Sequence, residues 1–319
     1  MYDLKSSSIY KYRDEKVKPL SLSVLLFYVL VIMFMTSSLQ SVVLMPVFMM
    51  VNFREVLQAF YHENPLAEIS VLFEEFGRSD LCLLIQLFAT AAMIVLTLVL
   101  CLSLLKRKPA SLALSRRGFA WKYLLGLLLG ALLFAAVFGV ASVNGSIKII
   151  GVSSPLNVGM LVLILIGYVV QGASEEFLFR GFLMCDLARQ ASPLSAILLS
   201  SLAFSLAHAT NIGFGFIPLM NVFLFGVLSS LVLMRSGSLL AVSALHSAWN
   251  FAEGHVFGCR VSGLITESTL FVTESAPTLS LTNGGEFGPE GGVAVTVVML
   301  VAIVLVLVFP SKNAKKEAA

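Results

Sequence analysis

A chain of 319 residues, 58% hydrophobic and 12% charged, with a mean hydropathy of +0.94, lies far outside the soluble globular range of about 25% charged residues. This composition specifies a polytopic membrane protein. The net charge of +3 is small, and the Lys and Arg fall in short clusters between apolar runs; that leaves no basic face and excludes a nucleic-acid partner.

Residues 1–19 are polar and basic, and the apolar run that follows is longer than a signal-peptide core and lacks a small-residue cleavage signature. They are expected to stay as a cytoplasmic tail. Crossing ~30 Å of hydrocarbon takes about 20 apolar residues. Eight runs qualify, near 20–45, 81–105, 121–143, 157–178, 194–210, 214–234, 238–254 and 292–309, the first extending to Met50 with a bend at Pro46. The expected fold class is an all-α, polytopic membrane helical bundle. Its organisation is a tail at 1–19, amino-terminal spans over 20–154, a core over 155–255, an outer loop over 256–291, and a last span with a cytoplasmic tail over 292–319.

Counting basic residues between the runs orients the bundle. Lys5, Lys11, Arg13, Lys16, Lys18, Lys106, Arg107, Lys108, Arg116, Arg117, Lys122, Arg180, Arg189, Arg235, Lys312, Lys315 and Lys316 fall on one side, and only Arg54, Arg78, Lys148 and Arg260 on the other. The positive-inside rule places both termini in the cytoplasm. Two outer segments are longer than turns. Residues 51–80 carry six acids in a mixed apolar and charged pattern suited to surface helices lying on the membrane. The stretch 255–291, with Gly258, Gly263, Asn283-Gly284-Gly285 and Gly288-Pro289-Glu290-Gly291, reads as an irregular loop. Cys82, Cys101, Cys185 and Cys259 are isolated and read as packing residues. No internal repeat and no inverted pair of broken helices points to a secondary transporter.

Three pieces set ionisable groups inside membrane runs: Glu175-Glu176-x-x-x-Arg180, Phe204-x-x-x-His208 and His246-x-x-x-Asn250. A charge at bilayer depth costs at least ~2.5–3.5 kcal/mol on insertion scales, so such residues point to a site. Adjacent acids on a helix diverge by about 100°, whereas Glu176 and Arg180 share a face; the simplest division pairs those two and leaves Glu175 free for chemistry. Taken alone, a His in an apolar helix is more often a packing residue, and His246 with Asn250 could be an interhelical hydrogen-bond pair. However, Ala191-Ser192-Pro193 reads as a turn. Glu175 lies 18 residues before that proline and His208 lies 15 after it, so a hairpin brings them to one depth. His246, nine residues after Gly237, is then expected near mid-membrane or in the cytoplasmic half, with the helix ends around 185–195, carrying Asp186, Arg189, Gln190 and Ser192, projecting beyond the bilayer. Glu253 lies one turn beyond Asn250 in roughly the same direction. His62 and His255 are expected to be ordinary surface residues.

Over about residues 155–255 these motifs, in this order on successive spans, resemble the CPBP intramembrane protease family, which includes the type II CAAX prenyl endopeptidases and bacterial Abi proteins. The resemblance implies an intramembrane peptide hydrolase of a bacterial plasma membrane, with Glu175 as catalytic acid/base, Glu176 and Arg180 supporting it, and His208, His246 and Asn250 completing the site. The family's designation as metalloproteases implies a divalent metal such as zinc on His208 and His246 with Glu175; a Glu175-activated water, with Asn250 donating to the oxyanion, fits the residues equally well. The expected activity is a cytoplasm-facing endopeptidase acting on a membrane-associated protein or peptide, with lipid as its surroundings. Prenylated CAAX substrates belong to one branch of the family and are not assigned. Two other classes stay open: a non-enzymatic scaffold, sensor or bacteriocin-immunity protein, and a proton-coupled transporter built on the same Glu and His.

Overall fold

The computed structural model describes Leu4, residues 18–114 and residues 118–309. Lys5, Lys11, Arg13, Lys16, Arg116, Arg117, Lys312, Lys315 and Lys316, all used in the charge count, lie outside the described residues.

The chain opens with α1 (Leu22–Val51), which runs through Pro46 without ending there. Two short helices follow, α2 (Phe53–Ala59) and α3 (Pro65–Arg78), mostly exposed and started in the second case by Pro65 at the first helical turn. Next come α4 (Asp80–Leu104), α5 (Phe119–Val143) and strand β1 (Ile147–Val152). Helix α6 (Val158–Glu176) does not stop near residue 178 as the apolar run suggested. It widens into a π-helix over Phe177–Met184 and closes as α7 (Cys185–Gln190). Then follow α8 (Pro193–Leu206), α9 (Phe216–Ser236) and α10 (Leu239–Phe251), the last extended by a π turn over Ala252–Val256. Strand β2 (Phe271–Ser275) and α11 (Val293–Val308) complete the chain.

Among the described residues five helices are long and apolar enough to cross a membrane: α1, α4, α5, the continuous Val158–Leu187 stretch, and α9. The other three expected runs fold as shorter helices. At ~1.5 Å per residue, α8 reaches only about 21 Å, less by itself than the ~30 Å of hydrocarbon.

Turn chemistry explains the hairpins. Ser192 caps α8 by accepting from the Ser195 amide, with Pro193 in the first turn. Gly237 ends α9 with φ +59°, and Ser238 caps α10 by accepting from the Ala241 amide. Small residues then let helices touch. A Cβ on Gly126 or Gly130 would sit 2.1 Å from the carbonyl oxygen of Ala241 or Leu245, and one on Gly172 would sit 2.6 Å from Ser247 Oγ. With no hydrophobic drive between helices in lipid, that close approach is what holds α10 between α5 and α6.

The bundle has two distinct ends. At the basic end Asp186 pairs with Arg107 and Arg189 and accepts from the Leu20 amide, while Lys122 donates to the Ser236 carbonyl. Asp186 was expected on a helix end projecting into water. It is fully buried instead, because a carboxylate between two guanidinium groups is neutralised without solvent. At the opposite end, the loop end, β1 and β2 form a two-stranded antiparallel sheet with Ile147 opposite Ser275 and Val152 opposite Phe271. The sequence reading had no strands there, since each is short and held mainly by the other. Asp80 fastens the region by accepting from the amide and hydroxyl of Ser268.

Candidate active site

The π-helix that starts at Phe177 follows directly on Glu176, so Glu175 and Glu176 leave the last α-turn into a wider one. Such insertions accompany functional sites and re-aim the side chains beside them. Arg180, on the π segment, donates from Nη1 to Glu176 Oε1 at 3.1 Å, both residues fully buried. Its guanidinium carbon lies 4.2 Å from the centre of the Phe204 ring, a cation–π contact that supports a charge removed from water. Phe204 also stands edge-on to His208 and His246, with ring centres 4.8 and 5.9 Å apart. The Phe-x-x-x-His motif thus supplies the wall between the arginine and the imidazoles.

His246 Nδ1 donates to Glu176 Oε1 at 2.9 Å, and its Nε2 lies 3.8 Å from Glu175 Oε2. One imidazole therefore spans the two adjacent acids. The ~100° divergence along the helix is bridged by a ring from another helix, an arrangement that spacing within one helix could not show. His208 Nε2 lies 4.0 Å from the same Glu175 oxygen, while its Nδ1 donates to the Phe204 carbonyl at 2.9 Å. A carbonyl and a carboxylate only accept, so in the neutral rings both Nδ1 atoms carry the proton and both Nε2 atoms present a lone pair. Together with Glu175 Oε2, which has no hydrogen-bond partner, three acceptors face one region. The 3.8 and 4.0 Å separations exceed a direct hydrogen bond and suit one bridging water.

Gln171 is the residue that the motifs did not announce. Its Nε2 donates to Glu175 Oε1 at 2.6 Å, and its Oε1 accepts from Asn250 Nδ2 at 2.9 Å. The signal for it was available: a carboxamide one turn before Glu175, inside a membrane run. Asn250 thereby reaches the acid through Gln171 and keeps its second Nδ2 proton free.

These groups line a cavity of about 350 Å³ that holds Glu175, His208, His246 and Asn250 at its deep side and reaches Asn211, Ser262 and Glu290 at the loop end. The side chains of Glu175 and His208 retain 20% and 15% exposure, against none for Glu176. A site facing the basic end was expected, whereas the cavity borders the opposite one. The cause is geometric: α8 is too short to carry His208 to the far surface, and the turn after it opens directly into the cavity.

His255 also departs from expectation. It is fully buried, stacked on Phe251 with its Nδ1 donating to the Ser268 carbonyl at 2.6 Å, because the π turn after α10 folds it under the loop rather than onto the surface. His62 is exposed and bonds Glu68. Glu253 is fully buried and outside the cavity lining.

Two imidazole Nε2 atoms and a carboxylate, each imidazole fixed through its Nδ1 by an oxygen acceptor, are donors of the kind that hold zinc. Their spacing does not match: among the described residues no three His, Cys, Asp or Glu groups stand close enough together to ligate a metal.

No curated protein and no solved structure matches the chain. Residues 156–252 match the family described as type II CAAX prenyl endopeptidase Rce1-like, a stretch that runs from the start of α6 to the end of α10 and contains every motif residue above. That match supports, over the same stretch, the resemblance to the CPBP family of intramembrane proteases that the motifs carry.

Proposed function

We propose that this integral membrane protein is an intramembrane endopeptidase that hydrolyses a peptide bond of a membrane-associated protein or peptide with a water activated by Glu175. The observation that carries this reading is the convergence of Glu175, His208 and His246, from three helices, on one cavity. A water that donates one hydrogen bond to Glu175 Oε2 and the other to an imidazole Nε2 gives a proton to Glu175 as its oxygen attacks the scissile carbonyl carbon. The oxyanion takes a hydrogen bond from the free Nδ2 proton of Asn250. As the C–N bond breaks, Glu175 returns the proton to the leaving amine, which yields an acid and an amine. Glu176, neutralised by Arg180, keeps His246 in the tautomer whose Nε2 orients the water. General base and oxyanion donor each contribute orders of magnitude. These steps use the chain's own residues, and none depends on a metal ion.

We further propose eight spans with both termini cytoplasmic, on the charge count above. The cavity then opens toward the outer face, and substrate reaches it from that side.

The test uses purified full-length protein and a membrane-anchored peptide. Glu175→Gln preserves shape and removes the base; it is expected to abolish cleavage, as is His208→Ala. Undiminished cleavage by both variants sinks the hydrolase. A cellular phenotype that survives Glu175→Gln would favour a scaffold or immunity role instead.

A further inference from the structure

The cavity extends past the catalytic cluster to a second carboxylate, Glu290, which lies outside the family-matched residues 156–252. Its position is fixed from several directions. Trp249 Nε1 donates to Oε1 at 2.9 Å, and the Ser262 hydroxyl donates to Oε2. The backbone on either side is clamped by Asn221, whose Nδ2 donates to the carbonyls of Glu290 and Gly292 at 2.7 and 2.8 Å; Thr296 Oγ1 in turn donates to Asn221 Oδ1 at 2.6 Å. A carboxylate has about four lone-pair sites. Glu290 has therefore kept acceptor capacity while losing its freedom to move.

The cavity does not neutralise this charge. Among the described residues no Lys or Arg lines it, and the nearby Arg180 is already paired with Glu176. Tyr168 also lines the cavity, at 2% exposure and with no hydrogen-bond partner for its hydroxyl. Such a cavity draws a cation and repels a carboxylate. A hard divalent ion takes six or more oxygen ligands or keeps its own waters. An ammonium or guanidinium needs only a few acceptors, and the indole of Trp249 bonded to the carboxylate offers it an aromatic neighbour.

We propose that Glu290, held by Trp249 and Ser262, forms a specificity subsite for a lysine or arginine side chain of the peptide cleaved at Glu175. The subsite rests on the peptidase reading for its substrate, and it makes this cavity unsuited to a substrate that buries its terminal carboxylate there. A charge-assisted hydrogen bond of this kind is worth about tenfold to a hundredfold in selectivity.

The experiment uses the full chain in proteoliposomes with quenched, membrane-anchored peptides that differ only in a single Lys, Gln or Glu stepped across the residues flanking the scissile bond. Binding of the same peptides to Glu175→Gln protein is followed by fluorescence anisotropy, so that charge preference is read without turnover. At one position Lys is expected to exceed Gln by at least about tenfold in kcat/KM and in affinity. Glu290→Gln should bring that ratio near unity, and Glu290→Lys should turn it in favour of Glu. A ratio unchanged in Glu290→Gln, with all peptides weakened alike, would mean a structural role and overturns the subsite. If no peptide is cleaved but the Lys preference in binding vanishes in Glu290→Gln, the subsite stands and the peptidase reading falls. If the Glu290 variants do not fold, the wild-type ratio decides: tenfold supports the subsite, and less than about twofold at every position overturns it.

Discussion

Two polar clusters are buried in this bundle, and they are built on opposite plans. At the basic end, Asp186 sits between Arg107 and Arg189 and accepts from the Leu20 amide, outside the lining of the cavity described above. Near mid-bundle, Glu176 is matched by Arg180 and His246 through one oxygen while its other oxygen is buried without a partner, and its neighbour Glu175 has one oxygen unpartnered against a cavity and two imidazole lone pairs. What separates the adjacent acids is access: Glu176 is fully buried against Arg180, whereas Glu175 keeps 20% exposure and borders the cavity. In the proposed reading Glu176 is the lock and Glu175 the working group.

The sharpest way to break the comparison is to remove one carboxylate from each cluster. Glu175→Gln should lower cleavage by ~10²–10⁴-fold with the melting temperature nearly unchanged, measured by peptide turnover beside thermal unfolding in detergent. Asp186→Ala should do the reverse, since breaking a buried ion pair costs ~3–5 kcal/mol: unfolding shifts sharply, while turnover per folded molecule holds. A large loss of turnover without a stability change in Asp186→Ala would dissolve the distinction. Gln171→Leu removes one hydrogen bond to Glu175 and is expected to cost about tenfold to a hundredfold, mainly in kcat; an effect confined to KM would mean that Gln171 binds substrate rather than positioning the acid. The smallest effect concerns Cys259 at the loop end, whose thiol burial pushes up to about 12. At pH 8 it is protonated, well below that value, so maleimide should leave it unlabelled until the protein is denatured. Rapid labelling of folded protein would show that the loop over the cavity opens.

Much of the site was legible in the residues. Glu175, Glu176, Arg180, His208, His246 and Asn250 stood out because ionisable groups are costly in lipid, and helical spacing placed Glu176 with Arg180 on one face. Chain lengths of 18 and 15 residues about Pro193 brought Glu175 and His208 to within about a turn of one depth, and they lie 4.0 Å apart. Other features were illegible for physical reasons. The burial of Asp186 depends on Arg107, 79 residues away, and that of His255 on a loop that folds Ser268, 13 residues on, back over it. The β1–β2 ladder joins residues more than a hundred positions apart, and neither strand has a pattern that selects it alone.

The sequence by itself determined the helical membrane class and the identity of the polar residues, because hydropathy and 3.6-residue periodicity are local properties of the chain. Only the tertiary structure decided that His246 bridges both acids, that Gln171 links Asn250 to Glu175, and that the cavity opens at the loop end beside Glu290. Each of those depends on how far one helix reaches past another, and that is set by close glycine contacts and helix lengths acting together rather than by any single segment.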